Sequence, residues 1–150
     1  MASHMPRVAI TKPGACISVD QLEPSTPGLI AQLKGIPTKA RYHAATVFMD
    51  HYSGFGCVCL QHTLSSEETV QAKHAFETFM TSHGVTIKHY HTDNRCFQDN
   101  AFREAILQAQ QGLSFCGVNA HFQNGVAEKR ICDLQDQVRT MLLHAQCHCP

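Results

Sequence analysis

The chain has 150 residues, which suits one domain with ragged ends. Hydrophobic residues make up 43% and charged residues 16%, an ordinary globular composition that excludes wholesale disorder. Lys plus Arg is 12 and Asp plus Glu is 12, so no basic excess marks a nucleic-acid binder, and such a reading needs sharper residues. There is no run of eighteen apolar residues, so no membrane-spanning helix is expected.

Residues 1–13 read as an expression remnant, Met1-Ala2-Ser3-His4-Met5, followed by an irregular lead-in with Pro6 and Pro13. Ala15 to Leu22 alternates, with Ala15, Ile17 and Val19 on one face and Cys16, Ser18 and Asp20 on the other, which predicts a strand. Pro24, Pro27, Gly28, Gly35 and Pro37 make residues 23–41 a long excursion, with a short helical turn at Leu29 to Leu33. Ala44 to Met49 and Phe55 to Gln61 form a hairpin around Asp50-His51-Tyr52-Ser53-Gly54. Asp50 fits a structural role there, tying the turn through local backbone bonds.

Ser65 and Glu68 have capping-box spacing, and Ala72, Ala75, Phe76, Phe79 and Met80 follow as a helical stripe that stops at Gly84. Val85 to His91 reads as a strand ending at Thr92-Asp93. A helix from about Asn100 buries Phe102, Ala105, Ile106 and Ala109, and Leu113 to Cys116 is a short strand. After a loop, a long helix from Asn124 carries Ala127, Ile131, Leu134, Val138, Met141, Leu142 and Ala145 at steps of three and four. The order β-β-β-α-β-α-β-α suits an α/β fold with a five-stranded mixed sheet flanked by helices.

The chain has eight cysteines, but its long periodic segments and the absence of a signal peptide favour free thiols in a reducing compartment over a secreted disulfide scaffold. Cys57 and Cys59 lie two apart on a strand and share a face. The tail Cys147-His148-Cys149, with His144 nearby, is a weak zinc pattern, because tetrahedral zinc needs four well-spaced ligands. The eleven histidines are scattered and read mostly as surface residues.

Three acids stand out on this plan. Asp20 lies near the end of the first strand, Asp93 just past the end of the fourth, and Glu128 in the first turn or so of the last helix. Glu128 follows Ala127 by about 100° on the helix and can face the sheet. Each acid alone has an ordinary explanation, as a turn cap, a dipole partner or a strand-end charge. Together they can converge, and convergent carboxylates need a cation. Oxygen donors favour Mg²⁺ or Mn²⁺, and a pair of such ions suits phosphoryl displacement without a nucleophilic side chain. No nucleophile elbow or Gly-rich phosphate loop offers another chemistry.

Asp93 and Glu128 are 35 residues apart, separated by strand end, helix, strand, loop and helix start. With that spacing, Gly14-Ala15-Cys16-Ile17-Ser18-Val19-Asp20, Phe48-Met49-Asp50-His51-Tyr52-Ser53, Gly84-Val85-Thr86-Ile87-Lys88 with Thr92-Asp93-Asn94, and Asn124-Gly125-Val126-Ala127-Glu128-Lys129-Arg130 resemble the catalytic core of retroviral-type integrases. The likeness is closest to those of copia-type LTR retrotransposons. It extends to Arg139-Thr140-Met141-Leu142 and runs in order from about Gly14 to Ala145.

The resemblance implies a ribonuclease-H-like core over residues 14–146 and a tail at 147–150. It makes Asp20, Asp93 and Glu128 the catalytic triad, holding two Mg²⁺ or Mn²⁺ ions. Asn94, Gln123, Asn124, Lys129 and Arg130 become nucleic-acid contacts, although Lys129 and Arg130 also read as solvated helix charges. It further implies DNA 3′-end processing and strand transfer on double-stranded DNA, a homodimer, and an intracellular retroelement in nucleus or cytoplasmic particle. The family's flanking zinc-binding and DNA-binding regions have no counterpart here, so the chain reads as an excised core. It departs from the family at Arg95, where glycine is usual, and at His121-Phe122, where proline and a polar residue are usual. These departures keep a second reading open, an impaired or domesticated core serving as a dimerisation or DNA scaffold. A plain ribonuclease-H-like nuclease is a third.

Overall fold

The structure, a computed structural model, describes residues 8–25, 27–29, 35, 39–92, 100–115 and 125–148. Its elements are β1 (Ile17–Leu22), β2 (Gly28–Leu29), β3 (Arg41–Tyr42), β4 (Ala44–Asp50), β5 (Gly56–Gln61), α1 (Ser66–Ser82), β6 (His89–Thr92), α2 (Asn100–Gln108), β7 (Gly112–Phe115) and α3 (Gly125–His148). Five strands form one sheet in the order β5-β4-β1-β6-β7. β4 and β5 run antiparallel in sequence from β1, and β6 and β7 run parallel to it. β2 and β3 form a separate two-stranded ribbon inside the Pro/Gly-rich excursion, where the sequence pattern gave no strand. The helical turn placed at Leu29 to Leu33 falls largely outside the described residues.

Strand pleating divides the sheet into two faces. On one, Ile17, Val19, Phe48 and Tyr90 are fully buried against Phe76 of α1 and Phe102 and Ile106 of α2. Phe48 and Phe76 stack at 4.6 Å and 6°, a pair worth about 1 kcal/mol beyond its buried area. The other face receives the first half of α3, where Ala127 is fully buried. β4 is covered on both sides, with Ala44 to Phe48 all buried. Among the described residues no helix is long and apolar enough to cross a membrane.

Gly14 locks three segments at the foot of the sheet. Its N–H donates to Asp50 Oδ1 at 3.0 Å, and its carbonyl accepts from Lys88 N at 2.9 Å. It sits at φ +82°, and a Cβ there would meet Thr86 O at 2.3 Å, so the position needs glycine. Asp50 is fully buried and also accepts from Ser53 N at 2.9 Å and Ser53 Oγ at 2.5 Å, which is the turn-tying role its position suggested.

Helix α1 starts at Ser65, whose side chain accepts from Glu68 N. Glu68 does not close the reciprocal box on Ser65; its carboxylate reaches further back, to His62 N and Thr63 N. The buried face of α1 is Thr69, Ala72, Lys73, Phe76 and Met80, which corrects the predicted stripe: Ala75 and Phe79 are exposed. Phe79 stacks on Phe55 of the hairpin at 5.6 Å instead. Lys73 takes an interior place because Glu77, one turn on, pairs with it at 2.9 Å. Glu77 also accepts from Tyr90 Oη at 2.5 Å and Gln111 Nε2 at 2.8 Å. Burial works against the Glu77 charge, yet hydrogen bonds from Tyr90, Lys73 and Gln111 hold its carboxyl below the usual range. Burial and the Glu77 charge push Tyr90 up.

Two further expectations need correction. The strand predicted from Val85 begins only at His89, because Val85 N bonds to Met80 O at the α1 terminus and Lys88 N to Gly14 O, and only the Lys88 carbonyl meets the sheet, accepting from Gly112 N of β7. The apolar stripe of α3 is buried only at its start. Val138, Met141 and Leu142 are 53%, 70% and 65% exposed, since the helix packs on β1 and β4 with its first turns and then leaves the sheet behind.

The ion pair gives an asymmetric expectation. Glu77→Ala strands a fully buried ammonium and should cost about 3–5 kcal/mol, whereas Lys73→Met removes the charge with its burial cost and should cost under about 1 kcal/mol. Urea unfolding of the two variants checks the order; equal losses would contradict it.

Candidate active site

The face of the sheet under α3 carries the polar residues. Because Ile17 and Val19 point to the core, Ser18 and Asp20 point the other way, and His89 and His91 likewise oppose Tyr90 and Thr92. Strand register sets one row across all five strands: Gly56, Met49, Ser18, His91 and Ser114.

Hydrogen bonds join this row. Ser18 Oγ lies 2.5 Å from His51 Nε2, in the turn after β4. Ser114 Oγ lies 2.8 Å from both His91 Nδ1 and His89 Nε2. One hydroxyl has one proton, so at least one of those imidazoles donates to it. Gly112 makes room for the arrangement, because a Cβ there would meet His89 Nδ1 at 2.2 Å. Burial lowers the pKa of His51, with the nearby His91 adding to the shift and Asp50 opposing it. Burial lowers His89 too, again with a contribution from His91. These histidines are half-buried and paired, not the surface residues the sequence suggested.

Asp20 stands one pleat along from Ser18 toward the end of β1. It is half-buried, and its Oδ1 accepts from Gln21 N at 2.8 Å. Thr92, the last residue of β6, pairs with Val19. Two parallel neighbours therefore reach the positions before Asp20 and Asp93 in register. Asp93 itself lies outside the described residues, as do Asn94, Arg95, His121, Phe122, Gln123, Asn124 and Cys149, and so do the side chains of Cys147 and His148.

Glu128 lies in the first turn of α3, on a helix that packs against β1 and β4. Its side chain is exposed, whereas the sequence pattern turned it toward the sheet; Ala127 alone in that turn is fully buried. Lys129 is exposed. Arg130 is half-buried and lies across β5: a Cβ on Gly56 would sit 2.9 Å from its Nε and 3.2 Å from Met49 Sδ. Its stem thus packs over the β4–β5 edge. Among the described residues no three His, Cys, Asp or Glu side chains form a metal-sized cluster. Asp20 and Glu128 are hard oxygen donors on elements that touch, a donor set suited to Mg²⁺ or Mn²⁺.

Sequence reasoning missed the Ser18, His51, His91, Ser114 row. The i, i+2 spacing of His89 and His91 was its one local signal, and only strand register assembles the rest.

No protein-family model matches the chain, and no curated protein matches it. Solved structures do. The chain is similar to the HTLV-2 integrase catalytic core domain in complex with magnesium, dimeric form, at TM-score 0.63 and 19% identity, over 92% of this chain and 79% of that one. The trimeric form of that core matches at TM-score 0.59 and 21% identity, over 89% and 75%. A simian T-cell lymphotropic virus intasome, in complex with the PP2A regulatory subunit B56 gamma, matches at TM-score 0.67 and 17% identity, over 93% of this chain and 46% of that one. The five-stranded mixed sheet with flanking helices is the ribonuclease-H-like fold of integrase catalytic cores.

The histidine row sets a pH dependence. His51 and His89 bind protons more weakly folded than unfolded. The unfolded chain takes up protons first as pH falls below the ordinary value of 6.5, so stability drops from there downward. Thermal melts from pH 7.5 to 5 should show this fall, and His51→Gln combined with His89→Gln should flatten it. A slope unchanged in the double variant would contradict the assignment.

Proposed function

We propose that the chain is a polynucleotidyl transferase core that trims a DNA 3′ end and joins it to target DNA, of the integrase type found in copia-like retroelements. The observation that supports this reading is the parallel pairing of Val19 with Thr92, the residues that precede Asp20 and Asp93 in the sequence, on an integrase-core fold. The half-buried carboxylate of Asp20, its Oδ1 oriented by the Gln21 amide, is the fixed donor. Glu128 is the donor on α3, and Asp93, next in sequence after β6, is the third.

Bound at these three carboxylates, a pair of Mg²⁺ or Mn²⁺ ions would activate the attacking oxygen and stabilise the leaving one. The chain's own residues supply position and charge rather than a covalent intermediate. Asn94, Gln123 and Asn124, close in sequence to two of the acids, touch the DNA. Lys129, exposed on the first turn of α3, contacts phosphate, which fixes position without reading sequence. Arg130 contributes charge from the same turn, although its stem is committed to packing on the β4–β5 edge. The partners are double-stranded DNA and a second copy of the chain, in the nucleus or a cytoplasmic particle. The balanced charge means that the core alone holds DNA weakly, with strong salt dependence.

A second reading, a scaffold core with a spoiled site, rests on Arg95 directly after Asp93-Asn94, which puts a cation beside the acids. A disintegration assay on branched DNA with Mn²⁺ separates the two. The parent should yield joined product, and Glu128→Gln and Asp20→Asn should each lower the rate more than about 100-fold. A folded parent with no metal-dependent product would overturn the transferase reading in favour of the scaffold.

A further inference from the structure

Asp20 sits where β1 loses a neighbour. β4 pairs with β1 as far as Leu22, but among the described residues the ladder with β6 ends at Val19 and Thr92. Burial falls off at the same point: Ile17, Ser18 and Val19 are buried, whereas Asp20, Gln21 and Leu22 are half-buried. A strand end paired on one side opens more readily than one paired on both.

Gln21 adds a second hold on this end. By alternation its side chain lies on the α1 face, opposite Asp20. Its Nε2 donates to Thr69 Oγ1 of α1 at 3.0 Å, while its backbone N–H donates to Asp20 Oδ1 at 2.8 Å. One residue thus ties the helix on one face to the carboxylate on the other.

Thr69 is arranged to receive that bond. It is buried, and its hydroxyl proton goes to Ser65 O, one turn back, at 3.0 Å. Its oxygen accepts from Gln21 Nε2 and, at 3.3 Å, from Gln61 Nε2. A hydroxyl has one proton and two lone pairs, so this one is saturated and takes only a donor from Gln21. Gln61 Nε2 also donates to Thr63 O at 3.3 Å, which leaves Gln61 Oε1 to accept from the hydroxyl of Thr46, the cross-strand partner of Gln21. Gln61 and Thr46 are buried as well, and a buried network with its donors placed favours one arrangement. The Gln61 bond already anchors Thr69 to the sheet. The Gln21 bond therefore adds something else, a fixed position for the strand end that carries Asp20.

We propose that Gln21 is a positioning residue that orients Asp20 for a divalent cation, and that Thr69 fixes Gln21; the role rests on the transferase reading. A carboxylate already oriented meets the cation without giving up that freedom on binding, and groups behind a metal ligand set affinity by about 10–100-fold.

Calorimetric titration of the full chain with Mn²⁺ tests this, with a metal-free thermal melt of each variant to establish folding. Gln21→Met keeps the reach of the side chain and loses its donor, while Gln61 still holds Thr69. It should bind Mn²⁺ about tenfold more weakly than the parent. Thr69→Val, which takes away the acceptor, should weaken binding similarly, and Thr69→Ser, which keeps the hydroxyl, should restore it. In metal-free Gln21→Met the backbone N–H at position 21 should exchange with solvent faster, while the amides of β4, a strand paired on both sides, keep their protection. A folded Gln21→Met variant with parent affinity would overturn the role and leave the transferase reading standing. So would unchanged exchange at position 21, or a Thr69→Ser variant as weak as Thr69→Val, which would mark a packing effect. A folded parent that takes up no Mn²⁺ would overturn the reading and the role together.

Discussion

The buried carboxylate of Asp50 accepts from Gly14 at the foot of β1 and from Ser53 in the hairpin turn, while the Gly14 carbonyl accepts from Lys88 just before β6. β1 and β6 therefore start, and the antiparallel β4 ends, at one point, and their relative register is fixed there. That register determines what lies opposite what: Ser18 faces His91, and Val19 faces Thr92. A slip of one residue along β1 would exchange Val19 for Ser18 in the core and turn Asp20 away from α3. Gly14 is intolerant because its left-handed backbone and the contact with Thr86 exclude any side chain.

The division of labour between the faces follows from that constraint. One face is apolar and aromatic; besides Asp50 at its foot it admits the Lys73–Glu77 pair, whose carboxylate also accepts from Tyr90 and Gln111. Such a network is costly to break from one side and holds the sheet face to α1 and α2. The other face, which α3 covers at β1 and β4, carries Asp20, the Ser18–His51 bond and the histidines around Ser114. The polar row with Asp20 and the aromatic core are thus on opposite sides of the same five strands, and β1 serves both by alternation.

Much of this was legible in the sequence because the signals were local. Alternation at Ile17, Ser18, Val19 and Asp20 gave both β1 and the face of Asp20, and Ser65 gave the start of α1. Asp50, in a five-residue turn, announced its own bonds. Readings failed where long-range partners decide. Lys73 is interior only because Tyr90 and Gln111 come from distant elements to hold Glu77. The histidine row needs four segments in register. Val138, Met141 and Leu142 have core spacing, but the sheet ends before they reach it. Glu128 shows the same limit: helical phase gives an angle around α3, not the extent of the surface beneath it.

The proposed chemistry requires Asp20, Asp93 and Glu128 to share one pair of divalent ions. Calorimetric titration with Mn²⁺ at low salt measures this without DNA, partner domains or turnover. The parent chain should take up two ions, and Asp20→Asn or Asp93→Asn should abolish binding while leaving the fold intact. A folded parent that binds no Mn²⁺, or one whose binding survives both substitutions, would contradict it.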